Sequence, residues 1–98
     1  LVRVHFRQEP GGIYRVTVSG HAGPFSVGED KIACASLSSL LEAVGGYGSL
    51  HEKAKFLARE PGFVDLELKD GTLFSLLEFG IHGIERVYPN ALIFEYEE

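Results

Sequence analysis

Two side chains in this sequence are equipped for covalent chemistry on a carbonyl substrate. His21 stands in Gly20-His21-Ala22-Gly23, and the only cysteine stands in Asp30-Lys31-Ile32-Ala33-Cys34-Ala35-Ser36-Leu37-Ser38. A thiol becomes a nucleophile when a base takes its proton or when local positive potential holds the thiolate, so a cysteine at a helix start with a histidine in reach is a minimal pair for acyl transfer. Glu29-Asp30 supplies capping chemistry ahead of Ala33, Leu37, Leu40, Leu41 and Val44, an apolar stripe at helical spacing. With Asp30 as the cap, Cys34 falls in or just after the first turn, where unpaired N–H groups and the positive end of the helix dipole favour a thiolate and can hold an oxyanion. Ser38 follows four residues later, on the face of Cys34. Between Gly20 and Gly28 the run Gly23-Pro24-Phe25-Ser26-Val27 predicts a mobile loop, able to fold back so that imidazole and thiol meet. The competing reading is a small buried hydrophobe for Cys34, a structural role for His21 and an ordinary helix-surface position for Ser38, and residue types alone leave both open.

Other chemistries find less support. His5, His21, His51, His82 and Cys34 are metal-ligand types, but none falls in a compact ligand spacing, so no metal is expected. His5 alternates with Arg3 and Arg7 on a polar strand face, and His82 lies beside Glu78 on the wet side of a helix, which makes both surface histidines. Gly45-Gly46-Tyr47-Gly48 follows a helix and lacks the Lys-Ser/Thr of a phosphate loop, so it reads as a helix stop. Gly80 and Gly83 read as close-packing or dimer-contact positions.

The elements that must position these groups follow from periodicity. Residues 2–7 and 13–19 alternate apolar and polar around Glu9-Pro10-Gly11-Gly12, a hairpin. Ala54, Phe56 and Ala58 alternate with Lys53, Lys55, Leu57 and Arg59, while Val64, Leu66 and Leu68 alternate with Asp65, Glu67 and Lys69; Glu60-Pro61-Gly62 joins them as a second hairpin whose outer bases and acids pair across strands. Lys69-Asp70-Gly71-Thr72 opens a helix with an inward stripe of Leu73, Leu77, Ile81, Ile84 and Val87, closed by Tyr88-Pro89-Asn90, and Leu92, Phe94 and Tyr96 mark a last strand. The order ββαββαβ predicts one α+β domain over residues 1–98: a two-layer unit with a largely antiparallel five-stranded sheet and two helices. Phe74, Leu76 and Phe79 widen the second helix's apolar surface enough to face both the sheet and a second subunit.

Composition sets outer bounds. Ninety-eight residues, 45% hydrophobic and 23% charged, suit one folded domain and exclude a disordered chain. A net charge of −5, from 14 acids and 9 bases, argues against a nucleic-acid surface and suits a neutral or basic partner. No apolar run approaches the roughly 18 residues of a membrane span. The amino terminus reads into a strand rather than a signal peptide, and one cysteine allows no internal disulfide, so the expected location is the cytoplasm.

The two motifs taken together, Gly20-His21-Ala22-Gly23 and Gly28-Glu29-Asp30 leading to Cys34-Ala35 and Ser38, resemble the signature of the Prp family, the bacterial ribosomal-processing cysteine proteases. The resemblance spans the chain, including the element order and Tyr88-Pro89 after the second helix. It implies a cytoplasmic, homodimeric, metal-free and cofactor-free thiol endopeptidase that removes the amino-terminal extension of a large-subunit ribosomal protein and so supports ribosome assembly. Cys34 is then the nucleophile and His21 the general base, Ser38 and Asp30 support them, and Gly20, Gly23, Phe25, Val27 and Gly28 belong to the loop that covers substrate. One departure is visible: Asp30 lies four residues before Cys34 where the family pattern has three, which leaves the third catalytic group open. The alternative is a non-catalytic peptide-binding or ribosome-associated module on the same fold.

Overall fold

The computed structural model describes residues 2–20, 29–60 and 62–97, without the side chains of Glu29 and Asp30. Its elements are β1 (Val2–Glu9), β2 (Ile13–Ser19), α1 (Glu29–Leu50), β3 (Ala54–Glu60), β4 (Phe63–Leu68), α2 (Gly71–Val87) and β5 (Leu92–Glu97), in the expected order ββαββαβ. The strands form one sheet ordered β3-β4-β2-β1-β5, antiparallel throughout except where β5 runs parallel to β1.

Both helices lie on one face, and the topology gives the reason. The β2-α1-β3 connection steps over β4 in one direction, and β4-α2-β5 steps over β2 and β1 in the other. Since β2 and β4 run oppositely, two right-handed crossovers place their helices on the same side. The core lies between, built from Val2, Val4 and Phe6 of β1, Val16 and Val18 of β2, Val64, Leu66 and Leu68 of β4, and the inward residues of the helices. Each such side chain contributes about 1.5–3 kcal/mol by leaving water. The other face carries charge, with Arg3 on Glu95 at 3.1 Å, His5 on Glu97 at 3.4 Å and Arg15 shared between Glu9 and Asp65.

Both hairpins form where expected. Gly11 and Gly12 hold φ of 85° and 75° in the first turn, which a residue with a Cβ adopts only under strain. The helix caps are more particular. Asp70 accepts from the N–H groups of Thr72 (2.8 Å) and Leu73 (3.0 Å), as its position before the apolar stripe predicts. Inside α2, Leu73, Leu77 and Ile81 are buried and Ile84 packs against them, but Val87, expected on the inward stripe, is 65% exposed, because six residues on from Ile81 the helix has rotated it about 120° off that face.

Three expectations are corrected. First, the glycines at 45, 46 and 48 do not stop α1, which continues to Leu50. A Cβ on Gly45 would run into the Phe56 ring, and one on Gly48 would lie 2.6 Å from the Ala54 Cβ, so these positions let the helix approach β3. The helix ends instead where Lys53 N–H bonds to Gly48 C=O (2.7 Å) and Glu52 N–H to Ser49 C=O (3.2 Å), with Glu52 at φ 58° in the left-handed position that glycine usually fills. Second, strict alternation fails in β3. A bulge between Phe56 and Ala58 leaves Leu57 as the extra residue, so Ala58 stands opposite Asp65 on the open face while Arg59 turns to the helix side with Phe56. The expected base-to-acid arrangement across this hairpin therefore holds only before the bulge, where Lys55 stands opposite Glu67 and Lys53 reaches Asp70 (3.3 Å); beyond it Asp65 is held by Arg15 of β2 and Arg59 pairs with Glu42 of α1. Third, His82 is half-buried, its ring 4.3 Å from that of Phe94 and its Nε2 on the Tyr96 hydroxyl, because β5 brings aromatic residues under that side of α2.

Candidate active site

The thiol is carried on α1, whose start at Glu29 makes Cys34 the sixth helical residue, in the second turn. The expected Asp30 cap is thus displaced. Asp30 is already inside the first turn, and its side chain lies outside the described residues. This changes the local electrostatics. An α-helix leaves only its opening N–H groups without carbonyl partners, and its dipole fades within that turn, so the open donors include those of Glu29, Asp30 and Lys31 while the Cys34 N–H is committed inside the helix. The Cys34 side chain is 8% exposed and packs in the core cluster with Ala33 and Leu37. Ser38, one turn on, is exposed.

The histidine arm arrives from β2, and its last described residue is Gly20. With φ at 77°, in the left-handed region, Gly20 follows β2 and donates its N–H to the Gly62 carbonyl at 3.2 Å. Gly62 belongs to the β3–β4 turn and also lines a groove of about 230 Å³ with Ser38, Leu41, Glu42, Phe56, Arg59 and Val64. One corner of the molecule therefore unites the end of β2, the β3–β4 turn and the exposed edge of the helical face that bears Cys34 and Ser38. His21, Gly23, Phe25, Val27 and Gly28 lie outside the described residues.

Part of the groove's lining is charged. The Arg59 guanidinium stands 4.7 Å from the centroid of the Phe56 ring and pairs with Glu42, which lies eight residues after Cys34 on α1. A cation over an aromatic face gains roughly 0.5–1 kcal/mol at an exposed site, and the carboxylate neutralises it on the other side. Periodicity overlooked Glu42, Phe56 and Arg59, because alternation sent Arg59 to the opposite face. The signal that could have found them was Leu57, an apolar residue among bases on what alternation made the wet side. Among the described residues no group of three or more His, Cys, Asp or Glu is placed to hold a metal.

No protein-family model matches the sequence, and no curated protein matches it. Solved structures do match. SMU.848 from Streptococcus mutans superposes with a TM-score of 0.75 at 19% identity, over 100% of this chain and 96% of that one. The essential ribosomal processing protease Prp from S. aureus, in complex with a substrate peptide, gives 0.76 at 16% identity, over 98% of this chain and 99% of that one. The same protease with a covalently linked product peptide gives 0.74 at 16% identity, with the same coverage. The likeness is of whole folds: this chain has the architecture of that ribosomal processing protease.

Proposed function

We propose that this protein is a cysteine endopeptidase of the cytoplasm that removes the amino-terminal extension of a large-subunit ribosomal protein in a bacterium. The observation that carries the reading is the whole-length match to a ribosomal processing protease solved with its substrate peptide, in a chain whose lone cysteine lies on the helix lining one corner with Gly20 and Gly62. In this reading Cys34 attacks the scissile carbonyl as the thiolate, and His21 takes the thiol proton and returns it to the leaving amine. The opening N–H groups of α1 face the oxyanion, one turn before Cys34. Water then releases the acyl-enzyme, with His21 as base, and Ser38 and Asp30 act in support. The segment with Gly23, Phe25, Val27 and Gly28 covers the peptide, and no metal or cofactor takes part. A second copy covers the exposed Leu76 and Phe79 of α2.

The alternative is a peptide-binding module without catalysis, favoured by one observation: a thiol only 8% exposed within the core. Mass spectrometry of the extension peptide after incubation with wild type, Cys34→Ala and His21→Ala under reducing conditions separates them. A single internal cut by wild type, absent from both variants, is the expected result. Binding without any cut would replace the peptidase by the binding module.

A further inference from the structure

The groove beside Ser38 has features that bear on what it accepts. Its cavity of about 230 Å³ falls below the roughly 300–1,000 Å³ of small-molecule sites, which is the scale of one side chain rather than a cofactor. Leu41, Phe56 and Val64 supply apolar surface, Arg59 and Glu42 pair with each other with side chains 56% and 50% exposed, and Glu60 completes the charged lining. It is continuous with the helical face of Cys34: Ser38 lies one turn along, and Glu42 two turns along, about 12 Å from Cys34 at 1.5 Å per residue. Gly20 is tied to its rim through Gly62.

We propose that this groove takes one uncharged apolar side chain of the peptide next to the bond that is cut, and that the Arg59–Glu42 pair is the end wall that sets how large that side chain can be. The inference rests on the peptidase reading for its substrate, yet concerns recognition rather than chemistry. Three facts favour an apolar occupant. The neutralised ion pair presents no net charge to the interior, the surface beneath is apolar, and burying a charged group there would cost desolvation without a free counter-ion inside. Glu60, the remaining charged residue of the lining, is exposed and belongs by register to the open face opposite Phe63. The end wall exists only because the β3 bulge turns Arg59 toward α1, so its position is a property of this chain's register.

The test uses peptides of the ribosomal extension in which each residue within three positions of the bond is changed in turn to Ala, Leu, Trp and Lys. Their affinities for the Cys34→Ala protein are read by fluorescence anisotropy, and their cleavage by the Cys34 protein is followed as kcat and KM. At one position the expected order is Leu above Ala, with Trp and Lys disfavoured. Arg59→Ala and Glu42→Ala then raise acceptance of Trp at that position about tenfold, the lower end of what a hydrophobic pocket discriminates, acting on KM and affinity with kcat unchanged. Arg59→Met keeps a stem over Phe56 and serves if the alanine variant fails to fold. Cleavage with a size preference indifferent to Arg59 and Glu42 overturns the groove and leaves the peptidase standing. Binding with the expected shift but no cleavage by any form overturns the peptidase and leaves the groove standing. Absence of binding to the Cys34→Ala protein, or a preference for Lys at the responsive position, overturns the groove.

Discussion

Cys34 is the residue whose chemistry and packing pull in opposite directions. An 8% exposed thiol in a core cluster reacts slowly with a bulky reagent unless the surface beside it admits the reagent, so alkylation reports on the site directly. In the peptidase reading, iodoacetamide at neutral pH modifies Cys34 faster than free cysteine, and His21→Ala slows it at least tenfold; a rate indifferent to His21 argues for a structural thiol. Two further residues report on their surroundings through titration. Desolvation, with Glu78 accepting its hydrogen bond, pushes the Tyr96 hydroxyl up to about 12 from 10.0. A spectrophotometric alkaline titration is expected to show one late tyrosine, absent in Tyr96→Phe. Because the folded value is raised, the stability that Tyr96 adds is complete below pH 10.0 and is lost as pH climbs through about 12. Asp70 behaves in the opposite sense. The Leu73 N–H, with Lys53 and the Thr72 N–H in support, holds its carboxyl below the ordinary 3.8. Its charge therefore stabilises the fold above that pH, and the contribution fades as pH falls through the lowered value. The thermal midpoint of wild type should exceed that of Asp70→Asn at neutral pH, and the gap should close in acid.

At the scale of elements, the glycines of α1 separate two roles that one residue type can fill. Gly46 has nothing within 4 Å of an added Cβ, whereas the Cβ of an alanine at position 48 would press on Ala54 and on Leu73, 3.2 Å away. Replacing a helical glycine by alanine where there is room adds roughly 0.5–1 kcal/mol of stability. Overpacking against neighbours that cannot yield costs about 1–3 kcal/mol. Urea unfolding is accordingly expected to show Gly46→Ala more stable than wild type and Gly48→Ala less stable; equal gains for both would remove the close-packing role of Gly48. The opposite substitution applies at the end of the helix, where Glu52 holds φ at 58°. Glu52→Gly should stabilise, by up to about 1 kcal/mol in the same assay, since the left-handed conformation costs a residue with a Cβ but not glycine.

At the scale of the molecule, the two layers leave contrasting surfaces. The open face of the sheet is laced with ion pairs, while α2 exposes Phe79 at 70% and Leu76 at 55% on its outer side. In the proposed dimer this is the surface that a second copy covers. Sedimentation is expected to give twice the 10.8 kDa of one chain, and Phe79→Glu should return it to a monomer; a monomeric wild type would leave that face without a second copy. Much of this architecture was legible in advance. Seven elements in order, both hairpins, the opening of α2 after Lys69-Asp70, the core stripes of β1, β2 and β4 and most of that of α2 follow from periodicity and turn chemistry, because each depends on residues adjacent in sequence. His21 and Cys34 were singled out as residue types at a spacing, and the roles proposed for them rest on that spacing. What only the tertiary structure decided depends on contacts between distant segments. The glycines of α1 are read correctly once Phe56 and Ala54 are seen against them, and His82 once Phe94 and Tyr96 lie beneath it. Arg59 reaches Glu42 because one extra residue in β3 inverts the alternation that local pattern predicts. A side chain's facing is set locally only while its strand stays in register, and register is fixed by neighbouring strands and by the helix packed across them.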